Sequence, residues 1–399
     1  MNPNLLHLLR IAQQPARRII GLMSGTSLDG LDVALCRCEG NGLHTRVQVE
    51  HFHTVPYPEE VKKQIRQVFA KAEISFEQLC LLHPWIGNLH ADMVLDCLRQ
   101  WQVAPTEVDC IASHGQTVYH APRHQHGRPD FPNATLQLGD GDHVAVRTGI
   151  LTLSDFRQKH LAAGGEGAPL AVYGDYLLFS QQGEDRILLN MGGIANFTYL
   201  PGSLQLAEIF STDVGPGNTL LDAFTQHYFP TFSYDANGAL AAQGQVHETL
   251  LAALLNHPFF QADFPKTTGP ELFNKEYVQQ AQTRSGTLAL SPHDLLATLT
   301  QFSAEGIVRA LERCFPVPNL TVYASGGGMH NPVLMAALRQ RLPQCRFTTT
   351  DELGILPDAK EAVLFAVLAN EALAGTPETF QGGQAGNPAV SMGKISFAW

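Results

Sequence analysis

The first legible pattern of apolar and polar positions lies at residues 18–36, "RIIGLMSGTSLDGLDVALC", two apolar arms joined by a polar, glycine-bearing loop. Alternation continues through "LDVALCRC", and again through "TRVQVEHFHTVPY", which stops at Pro56 and Pro58. Three strands in succession predict an antiparallel meander. A 3.6-residue period follows in "PEEVKKQIRQVFAKA" and "SFEQLCLLHPWIGNLHADMVLDCLRQW", predicting helices. A buried strand, "VDCIASHGQTVYH", comes next, and "ATLQLGDGDHVAVRTG" leads into another strand, "ILTLSDFR".

The same grammar then returns. "DRILLNMGGIANFTYL" reads as strand, glycine turn, strand, and "LQLAEIFSTDVGPGN" as a third strand ending in a polar turn. Helical stretches follow in "GNTLLDAFTQHYF", "VHETLLAALLNHPFF" and "PHDLLATLTQFSAEGIVRALERCF". Two strands, "NLTVYASGGGMHN" and "CRFTTTDELG", precede a last helix, "KEAVLFAVLANEALAG". The order predicts a duplicated α/β architecture, repeated in element order and not residue by residue. A ligand cleft between the two copies is the expected site. The expected lobes are 1–155, completed by 371–399, and 156–370 with helical insertions. The glycine-rich tail after residue 375 is expected to close back on the body.

Composition narrows the class. The 399 residues suffice for two domains, and 44% hydrophobic with 16% charged residues describes a globular chain with a sizeable core. A net charge of −11 argues against general nucleic-acid or anionic-membrane binding. No run approaches the roughly 18 apolar residues of a membrane span. Seven scattered cysteines form no disulfide framework, which points to a reduced, cytoplasmic setting. The start, "MNPNLLHLLRIAQQPARR", reads as a short N-terminal extension.

Four glycine turns carry the chemistry. "SGTSLDG" (Ser24, Gly25, Thr26, Ser27, Asp29, Gly30) lacks a P-loop lysine and feeds a strand, so neither a P-loop nor a dinucleotide fingerprint fits. "NMGGIAN" holds Gly192 and Gly193. "DVGPGN" holds Gly215, Gly217 and Asn218 and opens a helix, an anion-favouring position. "SGGGMHN" holds Gly326, Gly327 and Gly328. Each alone is compatible with an ordinary turn. Together they suggest a nucleotide held by backbone N–H groups.

The blocks "GLMSGTSLDGLDVAL", "SHGQTVYH", "DFRQKHLAAGGEGAPL", "NMGGIANFTYL", "DVGPGN", "PKTTGPELFN", "SGGGMHN" and "PDAKEAVLFA" resemble, in order, those of anhydro-N-acetylmuramic acid kinases, in the sugar-kinase, Hsp70 and actin superfamily. The resemblance implies duplicated ribonuclease H-like lobes closing around ATP and Mg²⁺ in a cytoplasmic enzyme of cell-wall recycling. Its substrate would be a small anhydro amino sugar, 1,6-anhydro-N-acetylmuramic acid. Water would open the anhydro bond, and the γ-phosphate would go to O6. Two other readings stay open: a superfamily kinase acting on a preformed hydroxyl, and an actin-like or chaperone-like ATPase. The sequence is compatible with a homodimer.

The resemblance assigns roles by position. Asp213, at a strand end before two glycines, is the expected catalytic base, with a helix cap as the plainer alternative. Glu361 matches the second acidic residue, against a solvated carboxylate in a first helical turn. Thr26, Ser27 and Asp29 would hold phosphates, with Asp29 meeting Mg²⁺ through water. His114 and Gln116 of "SHGQT", together with Asp155 and Arg157, would bind sugar. Arg157 would pair with a lactyl carboxylate. His160, Glu166 and Pro270 depart from the commoner family pattern. The histidines His120, His124, His126 and His143 read as a polar loop and its surroundings more readily than as a zinc site.

Overall fold

The computed structural model describes residues 2–167, 169–315, 320–376, 379 and 388–399. Its contacts divide the chain into two units. One comprises Met1–Ser180, Gln205–Ala207 and Ala359–Trp399, and the other Gln181–Leu204 and Glu208–Asp358.

In the first unit, strands β1 (Ala16–Ser24), β2 (Gly30–Glu39) and β3 (Arg46–Pro56) form the expected antiparallel meander. The strand β4 (Cys110–Ala121) pairs parallel to β1 on its other side, and β5 (Ala134–Leu138) pairs antiparallel to β4. The strand β6 (Thr152–Ser154) is parallel to β4. Beta-branched and aliphatic residues facing one side of this sheet, among them Ile20, Leu22, Leu35 and Ile111, pack against Leu82, Ile86 and Val94 of the helix Phe76–Trp101.

The helix Lys360–Ala374 lies against β1, β2 and β4. Contact is close enough at Gly21 that a Cβ there would sit 1.8 Å from the Ala362 carbonyl oxygen, so only glycine fits. This packing brings the last helix into the first unit, where the sequence reading had ended the second lobe at 370. Similarly, the helix Ala171–Phe179 packs on Lys360–Ala374, which moves the break from 155 to Ser180.

In the second unit, β7 (Arg186–Met191), β8 (Ile194–Leu200) and β9 (Phe210–Pro216) repeat the meander. The strands β10 (Thr321–Ser325) and β11 (Arg346–Thr349) follow in parallel, giving the order β11-β10-β7-β8-β9. The first sheet runs β3-β2-β1-β4-β6, with β5 as an added hairpin strand on β4, and the second β9-β8-β7-β10-β11, so the five shared strands follow the same order with the same directions. That is the duplicated ribonuclease H-like α/β fold. Helices Pro292–Cys314 and Pro332–Arg341 cover this sheet through Ile307, Leu311, Leu334 and Leu338. A second core, built mostly from helices around Phe260, Phe273 and Phe302, extends the unit.

Several local expectations changed. The stretch "ILTLSDFR" is a three-residue strand, because Asp155 adopts a left-handed conformation (φ 57°) and turns the chain into the helix Phe156–Ala162. The helix expected through Ala72 ends at Arg66. The N-terminal extension contains a helix, Pro3–Gln13, whose Ile11 is buried. The tail contributes β12 (Lys394–Ser396), antiparallel to β6, while its residues 377–378 and 380–387 lie outside the described residues. All seven cysteines are free thiols, as expected.

Candidate active site

At the end of β1 the tip "SGTSLDG" divides by role. Thr26, Ser27 and Asp29 are exposed. The Asp29 carboxylate accepts from the Ser27 hydroxyl at 2.7 Å and the Gly30 N–H at 3.1 Å, both on Oδ1. Its Oδ2 has no partner among the described residues, so it faces outward as a free acceptor. Ser24 does not belong with this group. It is buried, and its hydroxyl donates to the Gly115 carbonyl at 3.2 Å. Gly30 is also a packing residue: a Cβ would lie 2.3 Å from the Val55 carbonyl oxygen. Gly25, by contrast, has only loose surroundings.

The second polar group of this unit centres on Arg157. Its Nε donates to His114 Nε2 at 2.9 Å, and Nη1 donates to the Gly167 carbonyl at 2.6 Å. Burial lowers its pKa to about 10, partly offset by Glu361. Two of its five N–H groups are thus engaged, and one on Nη1 and both on Nη2 are left for a ligand. His114 is buried against Phe365, ring centroids 4.7 Å apart, and burial with the nearby Arg157 charge holds its pKa far below the usual value. A neutral imidazole is what the Arg157 N–H requires as acceptor. Gln116 is fully buried and donates to the Gly25 and Thr117 carbonyls, both at 3.1 Å. It braces the tip from behind and has no exposed atom for sugar. Asp155 pairs with Lys394.

Two of the departures from the family pattern have structural explanations. His160 is completely buried, and its Nδ1 accepts from the Gly167 N–H at 2.9 Å. Gly165 packs on the same ring so tightly that a Cβ would lie 2.1 Å from it. The imidazole therefore folds the "GGEG" loop around Arg157. Glu166 pairs with His124 at 3.1 Å. Among the described residues no group of three or more His, Cys, Asp or Glu side chains is placed to hold a metal. Nothing in the structure explains Pro270.

Glu361 opens the helix Lys360–Ala374. It keeps solvent access, yet protein crowds it on most sides, and this loss of hydration raises its carboxyl. Asp32 and Asp175 push the same way, against Lys360 and Arg157. Lys360 is itself fixed by a buried ion pair with Asp175 at 2.9 Å.

In the second unit the three glycine turns meet. The Gly217 N–H donates to the Gly193 carbonyl and the Asn218 N–H to the Gly192 carbonyl, both at 2.8 Å. A Cβ at Gly217 would lie 2.2 Å from the Gly192 oxygen, and one at Gly326 only 2.8 Å from the Met191 carbonyl carbon. Gly328 touches Met191 as closely, whereas Gly192, Gly215 and Gly327 have room. Beside Asn218 and Gly327 opens a cavity of about 550 Å³, also lined by Asp222, Tyr234, Asn237 and Asn331. Residues 233–237 gave no sequence signal, since "SYDANG" reads as an ordinary loop.

Asp213 lies on β9 next to a bulge, where Asn196 faces Asp213 but Ala195 faces Gly215. Such an insertion re-aims the neighbouring side chain. The segment 265–268 runs beside the strand: the Asp213 N–H donates to the Lys266 carbonyl at 2.9 Å, and the Thr268 N–H donates to Asp213 Oδ2 at 2.8 Å. Asp213 caps no helix; Asn218 holds the cap position of Thr219–Tyr228. Burial raises the Asp213 carboxyl to about 6, the Thr268 bond opposing and Glu271 assisting. A half-buried carboxylate with one oxygen unbonded among the described residues, and with this basicity, suits proton abstraction near neutral pH.

The family model for anhydro-N-acetylmuramic acid kinase matches residues 17–398. The chain is 55% identical to the anhydro-N-acetylmuramic acid kinase of Pseudoalteromonas atlantica over 399 residues, 100% of both chains. It is 39% identical to that of Caldanaerobacter subterraneus subsp. tengcongensis over 392 residues, 98% of this chain and 99% of the relative. Among solved structures, the activator of 2-hydroxyisocaproyl-CoA dehydratase from Clostridium difficile, with bound ADPNP, aligns over 89% of this chain and 95% of its own. Its TM-score is 0.43 at 10% identity, too slight a likeness to bear on the reaction. With its whole length matched from the first sheet to the last strand, the chain belongs to the anhydro-N-acetylmuramic acid kinase family.

Proposed function

We propose that this protein is a kinase that opens 1,6-anhydro-N-acetylmuramic acid with water and phosphorylates O6 from ATP, yielding N-acetylmuramate 6-phosphate and ADP in cell-wall recycling. Full-length identity to kinases of that name carries the reading. Asp213 takes a proton from water as the water oxygen bonds to C1 and the C1–O6 bond breaks. O6 then attacks the γ-phosphorus, and the bond to the ADP oxygen breaks. At pH 7 a carboxyl near 6 is about nine-tenths ionised, so the base is in its working form.

The nucleoside of ATP is assigned to the cavity beside Asn218 and Gly327, where Asp222 offers an acceptor for ribose hydroxyls and Tyr234 a ring. Backbone N–H groups at Gly192 and Gly327, and the exposed Thr26 and Ser27, are assigned to phosphates. Mg²⁺ prefers oxygen and keeps several waters. The outward Asp29 Oδ2 fits that demand, and the ion would neutralise charge on the transferred phosphate. Arg157 Nη2 is assigned to the lactyl carboxylate, and Glu361 to orienting the water. ATP as donor and seven free cysteines support a cytoplasmic enzyme. Among the described residues no helix is long and apolar enough to cross a membrane. A homodimer is part of the proposal, and sedimentation tests it.

A coupled assay of ADP formation tests the reaction. Turnover is expected with 1,6-anhydro-N-acetylmuramate and not with N-acetylmuramate or glucose, with solvent ¹⁸O found at C1 of the product. Equal turnover on N-acetylmuramate without solvent label would favour a kinase for preformed hydroxyls.

A further inference from the structure

One buried chain of polar groups in the first unit lies outside every role assigned above. Tyr57 follows β3 directly and grips the "SGTSLDG" tip at both ends. Its backbone N–H donates to the Asp29 carbonyl at 3.0 Å, and its hydroxyl lies against that of Ser24. On its far side the hydroxyl meets His90 Nε2 at 2.6 Å. Ser24 in turn donates to the Gly115 carbonyl. Gly115 sits in the bulge where β1 and β4 change register, with φ 76°, directly between His114 and Gln116.

The protons can be assigned by elimination. His90 is fully buried, neutral (burial lowers its pKa to about 4), and its Nδ1 has no partner among the described residues. If Tyr57 donated to Nε2, the ring proton would sit on Nδ1 as a buried donor with nothing to accept it, and the Ser24 oxygen would receive nothing. With the proton on Nε2, His90 donates to Tyr57, Tyr57 to Ser24, and Ser24 to Gly115. Every donor is then used, and one bare acceptor remains, the smaller penalty. Bonds aligned in this way reinforce one another.

We infer that Tyr57 and His90 are positioning residues, whose one-way chain of hydrogen bonds holds the Ser24–Gly30 tip in register with the His114–Gln116 bulge. The inference rests on the assignment of that tip to the ATP phosphates. Neither side chain reaches the surface, so both act through the loop.

Two measurements test it. In the wild-type protein, ¹⁵N shifts of His90, identified by its loss in His90→Gln, are expected to show a neutral ring protonated on Nε2 from pH 5 to 8. Protonation on Nδ1 would reverse the chain and overturn the inference. In kinetics, Tyr57→Phe is expected to raise KM for ATP about tenfold with kcat changed less than about threefold. His90→Gln, which keeps a donor, is expected to stay nearer wild type than His90→Leu. A lowered thermal midpoint with unchanged KM in Tyr57→Phe would make the chain merely structural. Asp29→Asn separates the two levels. If it raises KM for ATP and Tyr57→Phe does not, the positioning role alone fails; if Asp29→Asn leaves KM unchanged, the ATP assignment of the tip fails and the inference with it.

Discussion

The first hairpin tips of the two units occupy the same place in the five strands that the two sheets share, yet they spend their glycines differently. In the first unit the tip is an open loop. Thr26, Ser27 and Asp29 face solvent, and the loop is braced from behind by Ser24, Gln116 and Tyr57. In the second unit the tip at Gly192 and Gly193 carries no hydroxyl or carboxylate, and two further glycine turns press against it. One tip presents side chains; the other stacks backbone on backbone. Equivalent glycines in a duplicated fold therefore answer to different constraints, and a substitution tells them apart.

Four outcomes sharpen that contrast, the largest first. Asp213→Asn keeps the Thr268 contact but removes the base, so kcat is expected to fall by about 10³-fold while calorimetry still detects ATP binding. Substantial residual turnover would remove Asp213 from the mechanism. Next come the glycines themselves. Gly217→Ala forces a methyl onto the Gly192 oxygen and is expected to cost about 2–3 kcal/mol in denaturant unfolding. Gly25→Ala and Gly327→Ala meet nothing closer than 3.5 Å and are expected to cost less than about 1 kcal/mol. Equal losses at all three would erase the distinction between the tips.

Asp29→Asn, in the open tip, is expected to raise KM for ATP about tenfold without shifting the thermal midpoint. Unaltered KM would leave the exposed carboxylate without a function. The smallest effect is in pH. Because the Asp213 carboxyl is raised to about 6 and works ionised, kcat is expected to fall on the acid side with an apparent pKa near 6. Going from pH 7 to 6 would cost only about twofold, and tenfold per unit well below that. An acid limb centred below pH 5 would contradict the burial of this carboxylate.

Much of the site was legible because its signals are local. A carboxylate at a strand end before "GPGN" announces Asp213, and hydroxyls packed around Gly25 announce an exposed tip. Ser24 and Gln116 illustrate the limit. Both belong to polar motifs, but alternation along a strand does not say which side a bulge will turn inward. Arg157 stands out in the sequence as a cation in the block "DFRQKHLAAGGEGAPL". That His114 and Gly167 bond two of its nitrogens depends on a loop folded around His160, which no periodicity encodes. Glycine counts, too, were uninformative about which residues were needed: Gly217 and Gly327 look alike in sequence and differ entirely in their neighbours.

By itself the sequence determined the two meanders, the order of strands and helices around them, and the turns where polar chemistry collects. These follow from period-2 and period-3.6 burial and from turn residues, which act over a few positions. Only the tertiary structure decided that the Lys360–Ala374 helix returns to the first sheet, that residues 233–237 line a cavity, and that Tyr57 and His90 stand behind the tip. Those outcomes depend on close packing and on hydrogen bonds between residues far apart in the chain, where fit in three dimensions, and not local pattern, selects the partner.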